Sequence, residues 1–305
     1  MRLPSSAHRL RFDADGKILF ALNGPEHDEQ FASLDWQRSA IEVMGKFPGS
    51  DVRNVIEFGN GFVLAVRKLR KDLWVDGANG RIAITSDGNS DHGWLSSKGD
   101  LVVQRRLAGG RYVVVVRDAG GHERQMTEGP IDVAPTFSPD GGTWMYTNVP
   151  KGELIECDLS GLRCETIHQD SLVPGLASFS PSGQRVAYLT LLNSPRIRVI
   201  SSRGGEQQDL GPVGSDSCGP FWASDQYLWV AQSRRSSELT WVEMSSETGQ
   251  LTGRSLPVRL DENQDCAIPA SLGGRHAQVQ GRAALSVVSR EESDIAKMRR
   301  VAKAQ

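Results

Sequence analysis

Two stretches share one layout, APTFSPDGGTWMYTN at 134–148 and ASFSPSGQRVAYLT at 177–190, with Phe137 and Phe179 42 residues apart. In each, an aromatic residue closes an apolar run, Ser-Pro-Asp/Ser-Gly follows, and a second apolar run begins. Pro fixes φ at the turn entry, Ser and Asp bond back to the chain, and Gly supplies φ > 0. The pattern goes on: TWMYTN and RVAYLT lead through polar loops to ELIECDL and RIRVISS, then through Gly turns to CETIH and EQQDL. Each unit therefore predicts four short antiparallel strands.

Weaker copies lie on both sides. LRFDADGKILFAL carries Phe12 and Gly16, IEFGNGF carries Phe58 and Gly61, GWLSSKGDLVVQ carries Gly99, and GPFWASDQYLWVAQ puts Trp222 in the aromatic position with Gln226 for Gly. The turn positions 16, 61, 99, 141, 183 and 226 are spaced 38 to 45 residues apart. Four-stranded units at this period predict an all-β β-propeller, one domain over 1–305. Its clearest blades are 131–171, 172–213 and 214–260, and weaker blades are 5–50, 51–89 and 90–130. A closing or seventh blade falls at 264–301, so the count is six or seven, and the tail strand at Ala284–Ser289 is expected to pair beside the N-terminal blade.

APTFSPDGGTWMYTN…GELIECDLSG and ASFSPSGQRVAYLT…PRIRVISSRGG resemble the TolB-type propeller repeat family, most strongly over 130–235. The resemblance implies a propeller fold without fixing a function. Such propellers occur in periplasmic TolB, as C-terminal, often extracytoplasmic, parts of bacterial serine/threonine kinases, and as gating domains of prolyl-oligopeptidase-like enzymes.

Cys157 and Cys164 flank DLSGLR. A two-residue turn at Ser160-Gly161 sets them opposite each other at a Cα separation of about 4.5–5.5 Å, which admits a disulfide. The same register sets Asp158 against Arg163. Cys218 and Cys266, 48 residues apart, lead into successive units and form a second candidate pair. Two pairs suit an oxidising compartment, so an extracytoplasmic or periplasmic location is expected.

The 35 basic and 37 acidic residues nearly balance, and no basic block stands out, which argues against nucleic acid and anionic membrane as partners. No apolar run approaches the roughly 20 residues of a membrane span, and MRLPSSAHRL shows no signal-peptide core. Gly-x-Ser-x-Gly, Walker, glycine-rich kinase-loop and His-Arg-Asp motifs are missing from the chain, and the six histidines show no metal spacing. Asp87, Asn89 and Asp91 in SDGNSDHG have the order that opens a calcium loop, but His92 stands where the loop glycine belongs, so a turn is the favoured reading and calcium the alternative. Trp94, Trp144, Trp222 and Trp229 are expected in the core, and the run RKLRK at 67–71 in a loop between strands. The end of the chain, 292–305, is expected to continue as strand to about Val301.

The function expected is a non-catalytic binding module, monomeric and without cofactor, that takes a protein, peptide or small molecule on its loop face. Asp91, Asp132, Asn193, Arg196 and Arg234 are the candidates there. A kinase-attached sensor propeller and a TolB-like scaffold are the two forms of this reading. A propeller hydrolase or lyase, or a peptidase gate, is the alternative; the first strands VAPTFS, GLASFS and GPFWAS carry no carboxylate or histidine for it.

Overall fold

Runs such as YVVVVR and RVAYLT, β-branched and aromatic between polar turns, favour a pleated backbone packed on both faces. The computed structural model describes residues 7–12, 16–23, 29–35, 38, 40–47, 50–58, 61–77, 80–96, 98–107, 110–191, 194–213, 219–235, 238–259, 264–267 and 284–299. Apart from one short 3-10 turn at Val149–Lys151, the regular elements described are strands. The chain divides into two compact units, the described parts of Met1–Arg70, Leu107–Arg111 and Arg290–Gln305, and of Lys71–Arg106 and Tyr112–Ser289.

In the first unit, β1 (Ala7–Phe12), β2 (Ile18–Asn23), β3 (Glu29–Asp35) and β4 (Ala40–Phe47) form an antiparallel sheet in chain order. β5 (Ser50–Phe58) pairs with the first half of β6 (Gly61–Gly77). Leu19, Ala21, Phe31 and Leu64 make one core cluster here, with Met44 and Phe47 packed on it.

β6 corrects the sequence reading twice. Residues 67–71 lie inside this strand and not in a loop, and the two strands expected there are one run of 17 residues. A run of like charges has no period of its own, so it says nothing about strand or loop.

In the second unit, the end of β6 pairs with β7 (Gly80–Ala83). Four-stranded antiparallel sheets follow. They are β8 (Ser90–Leu95), β9 (Leu101–Arg106), β10 (Tyr112–Arg117) and β11 (Glu123–Gln125); β12 (Asp132–Phe137), β13 (Thr143–Asn148), β14 (Glu153–Asp158) and β15 (Cys164–Gln169); β16 (Pro174–Phe179), β17 (Arg185–Thr190), β18 (Arg196–Ser201) and β19 (Gln208–Pro212); and β20 (Phe221–Trp222), β21 (Tyr227–Arg235), β22 (Glu238–Ser245) and β23 (Leu251–Arg259). β24 (Gln264–Ala267) pairs with the start of β25 (Ala284–Arg299), residues 264–267 against 286–288. β24 is the partner described for the start of the tail strand.

The repeated turn works as its residues require. Ser138 Oγ accepts from Thr143 N (2.9 Å) and donates to Asp140 Oδ1 (2.7 Å), while Gly141 N donates to Ser138 O (2.9 Å) with φ +66°. Ser180 and Ser96 repeat the arrangement, accepting from Arg185 N (3.1 Å) and Asp100 N (3.0 Å). The aromatic before Ser138 and the one before Ser180 go to the core. Phe137, Trp144, Tyr146 and Cys157 pack on Val102 and Val114 of the preceding sheet, and Phe179 packs with Met145, Leu154 and Tyr188. Trp144, Trp222 and Trp229 are buried as expected, Trp94 is half-buried, and Trp241 is fully buried as well. Each such side chain contributes about 1.5–3 kcal/mol by leaving water.

A second device joins neighbouring sheets. In the β16–β19 and β20–β23 sheets, the glycine in the turn between third and fourth strands lies against the last strand of the sheet before it. A methyl on Gly204 would meet Ile167 O at 2.6 Å, and one on Gly249 would meet Leu210 O at 2.3 Å.

Candidate functional site

The sequence places its candidate face where first strands begin, second strands end and third strands start. Asp91 is the second residue of β8, Asp132 the first of β12, Arg196 the first of β18, and Arg234 the last but one of β21. Asn193 lies outside the described residues, as do Cys218 and the side chains of Cys266 and Arg234. The 218–266 pair is therefore not described.

The acids on this face are anchored inside the scaffold. Asp91 is buried, with Lys71 Nζ at 3.0 Å and His92 Nδ1 at 2.9 Å. Burial pushes its carboxyl up, but the charges and hydrogen bonds of His92 and Lys71 outweigh that and hold it well below the usual carboxylate range. Asp132 is 2% exposed and accepts from Gly129 N (3.0 Å) and Asn148 Nδ2 (2.9 Å). With no cation at hydrogen-bond distance among these partners, burial wins and its carboxyl is shifted upward. Burial together with the charges of Asp132 and Glu153 raises the Tyr146 phenol to about 12.

Asp170, which the sequence reading missed, holds the corresponding place before β16. Its carboxylate accepts from Leu172 N (2.9 Å) and Tyr188 Oη (3.0 Å) and pairs with Arg198. These partners overcome burial and lower its pKa. Gln207 Oε1 extends the network to Tyr188 Oη (2.8 Å) and His168 Nε2 (3.0 Å). A signal was present: Asp132-Val-Ala-Pro135 and Asp170-Ser-Leu-Val-Pro174 both set an Asp shortly before the proline of a first strand.

The first strands are bent beside these acids. His92, Ala134 and Val173 have φ of +43°, +54° and +55°, and the ladders of β8 and β12 shift register at His92 and Ala134. Such φ values are costly for residues with a Cβ. The β8–β11 and β12–β15 sheets are tied here by Gln104 Oε1, which accepts from Ala134 N (2.9 Å). Asp91 and His92 also show that first strands do carry ionisable groups, because β8 and β12 start earlier than the quoted motifs.

Arg196 is partly exposed and binds Asp209 through Nε (2.7 Å). In the SDGNSDHG segment, Asp87 accepts from Asn89 N (2.8 Å) and Ser90 Oγ (3.0 Å), and its other oxygen faces Arg105 Nε (2.9 Å). Asn89 Nδ2 turns back to Asp87 O (3.2 Å). Asp87 and Asn89 form an Asx turn, and Asp87 and Asp91 are each beside a cation. Among the described residues no group of three or more His, Cys, Asp or Glu side chains converges.

The Cys157–Cys164 disulfide forms, with Cα atoms 4.1 Å apart and the two residues paired across β14 and β15. The turn differs from the expected two-residue type. Gly161 N donates to Asp158 O (3.0 Å), and the Asp158 carboxylate accepts from Ser160 Oγ (2.6 Å) and Leu162 N (3.2 Å). Asp158 stands against Arg163 as the register requires, its N donating to Arg163 O (3.0 Å), while its carboxylate caps the loop.

No family model matches the chain, and no curated protein does. Solved structures do. A TolB candidate from Agrobacterium tumefaciens aligns with a TM-score of 0.50 at 10% identity, over 84% of this chain and 96% of its own. TolB from Acinetobacter baumannii aligns at 0.48 and 14% identity, over 95% and 68%. Oligogalacturonate lyase from Vibrio parahaemolyticus aligns at 0.44 and 12%, over 69% and 76%. The Agrobacterium likeness shows the fold: four-stranded antiparallel sheets of the TolB-like β-propeller kind. Among the described residues no helix is long and apolar enough to cross a membrane.

Proposed function

We propose that this chain is a non-catalytic binding module, the sensor or protein-interaction propeller of a bacterial membrane signalling protein, working on the extracytoplasmic side. One observation carries the reading. The ionisable groups at the first-strand ends, Asp91, Asp132 and Asp170, are buried and tied to scaffold partners, and so act as struts and not as reagents. The exposed ends of the same sheets are left for contact, and Leu191, 45% exposed just past β17, is an apolar example. The disulfide suits an oxidising compartment. The partner is a protein or peptide, or a small molecule held by the loops. A TolB-like envelope scaffold is the same reading with a different neighbour. Asp91-His92 and Asp132 on first strands favour one second reading, a hydrolase or lyase.

In-cell crosslinking with mass spectrometry nominates a partner, which is then purified and titrated. The reading expects Leu191→Asp to abolish binding and Leu251→Asp, at the opposite sheet end, to leave it intact. Turnover of a lactone or oligosaccharide that Asp132→Asn abolishes with the fold retained would overturn it.

A further inference from the structure

The two sulfurs of the disulfide stand in different surroundings. Cys157 is 1% exposed and sits in the core cluster with Trp144, its cross-strand neighbour, and Phe137. Cys164 opens β15 and is exposed. Leu162, two residues away, is 87% exposed, and Arg163 and Glu165 flank Cys164 as exposed charges. Access is one of the factors that set the rate of thiolate attack on a disulfide sulfur, beside the pKa of the leaving thiol.

The tip does not depend on the disulfide alone. Asp158 N donates to Arg163 O (3.0 Å), Asp158 caps the turn, and Arg124 Nη2 donates to Leu159 O (2.9 Å) from the sheet before. The S–S bond can open while the hairpin keeps its place.

We propose that Cys157–Cys164 is a thiol-exchange site of fixed polarity, attacked at Cys164 by the dithiol of a partner protein. The incoming thiolate bonds to Cys164 Sγ, the Cys157–Cys164 bond breaks, and Cys157 leaves with the electron pair and takes a proton. The partner's second thiolate then attacks its own sulfur in the mixed disulfide and releases Cys164. The protein gains two electrons and two protons, and the dithiol becomes a disulfide. Exposed Leu162 gives the partner an apolar foothold beside the reacting sulfur, and Arg163 favours approach of the thiolate.

The test uses a thioredoxin-class protein whose resolving cysteine is replaced by serine, incubated with the folded full chain, acid-quenched and mapped by peptide mass spectrometry. The proposal expects the mixed disulfide on Cys164 and not on Cys157. Cys157→Ser and Cys164→Ser supply the second measurement, with alkylation followed peptide by peptide so that Cys218 and Cys266 do not interfere. Cys164 in the first variant is expected to react faster than Cys157 in the second by about tenfold or more, since a buried thiol waits for local opening. Circular dichroism of the reduced wild type should stay native. Equal trapping on both cysteines, trapping on Cys157, equal alkylation rates, or no exchange until the chain is unfolded would each overturn the proposal.

Discussion

Gly249 is glycine for two reasons that can be separated. Its φ of +71° is open to any glycine, but an added methyl would also stand 2.3 Å from Leu210 O of the neighbouring sheet. Gly121, in the corresponding turn of an earlier sheet, has φ +90° and nothing within 4 Å of that methyl. Gly121→Ala should cost about 1–2 kcal/mol from backbone strain alone, and Gly249→Ala about 2 kcal/mol more, as overpacking does. Urea denaturation of both variants checks this, and equal losses would mean that the close approach is easily relaxed. The buried acids give a second prediction, on pH. The lowered pKa of Asp91 means that its contribution is present above the ordinary carboxylate value and is lost as pH falls through the depressed one. Asp132, raised by burial, works the other way: its contribution is complete at low pH and lost as pH rises through its elevated pKa. Lys71→Met leaves Asp91 half-compensated and should cost about 2 kcal/mol at pH 7. The loss should shrink toward pH 4, because Asp91 in the variant protonates more readily. A penalty independent of pH would show that Lys71 acts through packing of its stem.

At the scale of the element, the hairpin β14–β15 shows what its sequence specifies. Alternation along ELIECDL and CETIH sets Cys157 against Cys164, so the disulfide is readable from the chain. The turn is not, because the Asp158 carboxylate chooses between the Arg163 side chain and capping Ser160 and Leu162, and local bonding wins. The same limit governs the candidate face. Strand-end positions follow from the repeat, and Asp91, Asp132 and Arg196 lie at strand starts. Their partners do not follow: Lys71 reaches Asp91 across 20 residues and Arg198 reaches Asp170 across 28, distances that a 42-residue period does not encode. RKLRK failed for a related reason, since charge alone carries no period and β6 runs straight through it. Replacing both Cys157 and Cys164 by serine should cost about 2 kcal/mol, the value for a short closed loop, while the amides of β14 and β15 keep their exchange protection. Loss of protection confined to this hairpin would show that the disulfide holds the ladder, and not the ladder the disulfide.

At the scale of the second unit, one side chain links sheets that are distant in the chain. Trp94 of β8 lies on the cluster of Phe137 and Trp144 in the next sheet, and its ring is also 5.8 Å from Phe221 of β20, two sheets further on. Phe221 in turn meets Trp241 edge-on at 5.2 Å. Neighbouring sheets share many backbone and side-chain ties, such as Ser178 Oγ to Pro220 O (2.7 Å) and Ser182 Oγ to Asp225 Oδ1 (2.7 Å). Such ties couple each sheet to the next but leave the first and last of a series to separate independently, as in repeat arrays. A contact that skips two sheets makes their unfolding interdependent. Trp94→Ala should cost about 3 kcal/mol, the low end for a tryptophan because the ring is only half-buried. Hydrogen exchange should then report faster opening in β8–β9 and in β20–β21 together, with β16–β17 less affected. Faster exchange in β8–β9 alone would show that the Trp94–Phe221 contact transmits nothing, and that the unit behaves as a linear stack of sheets.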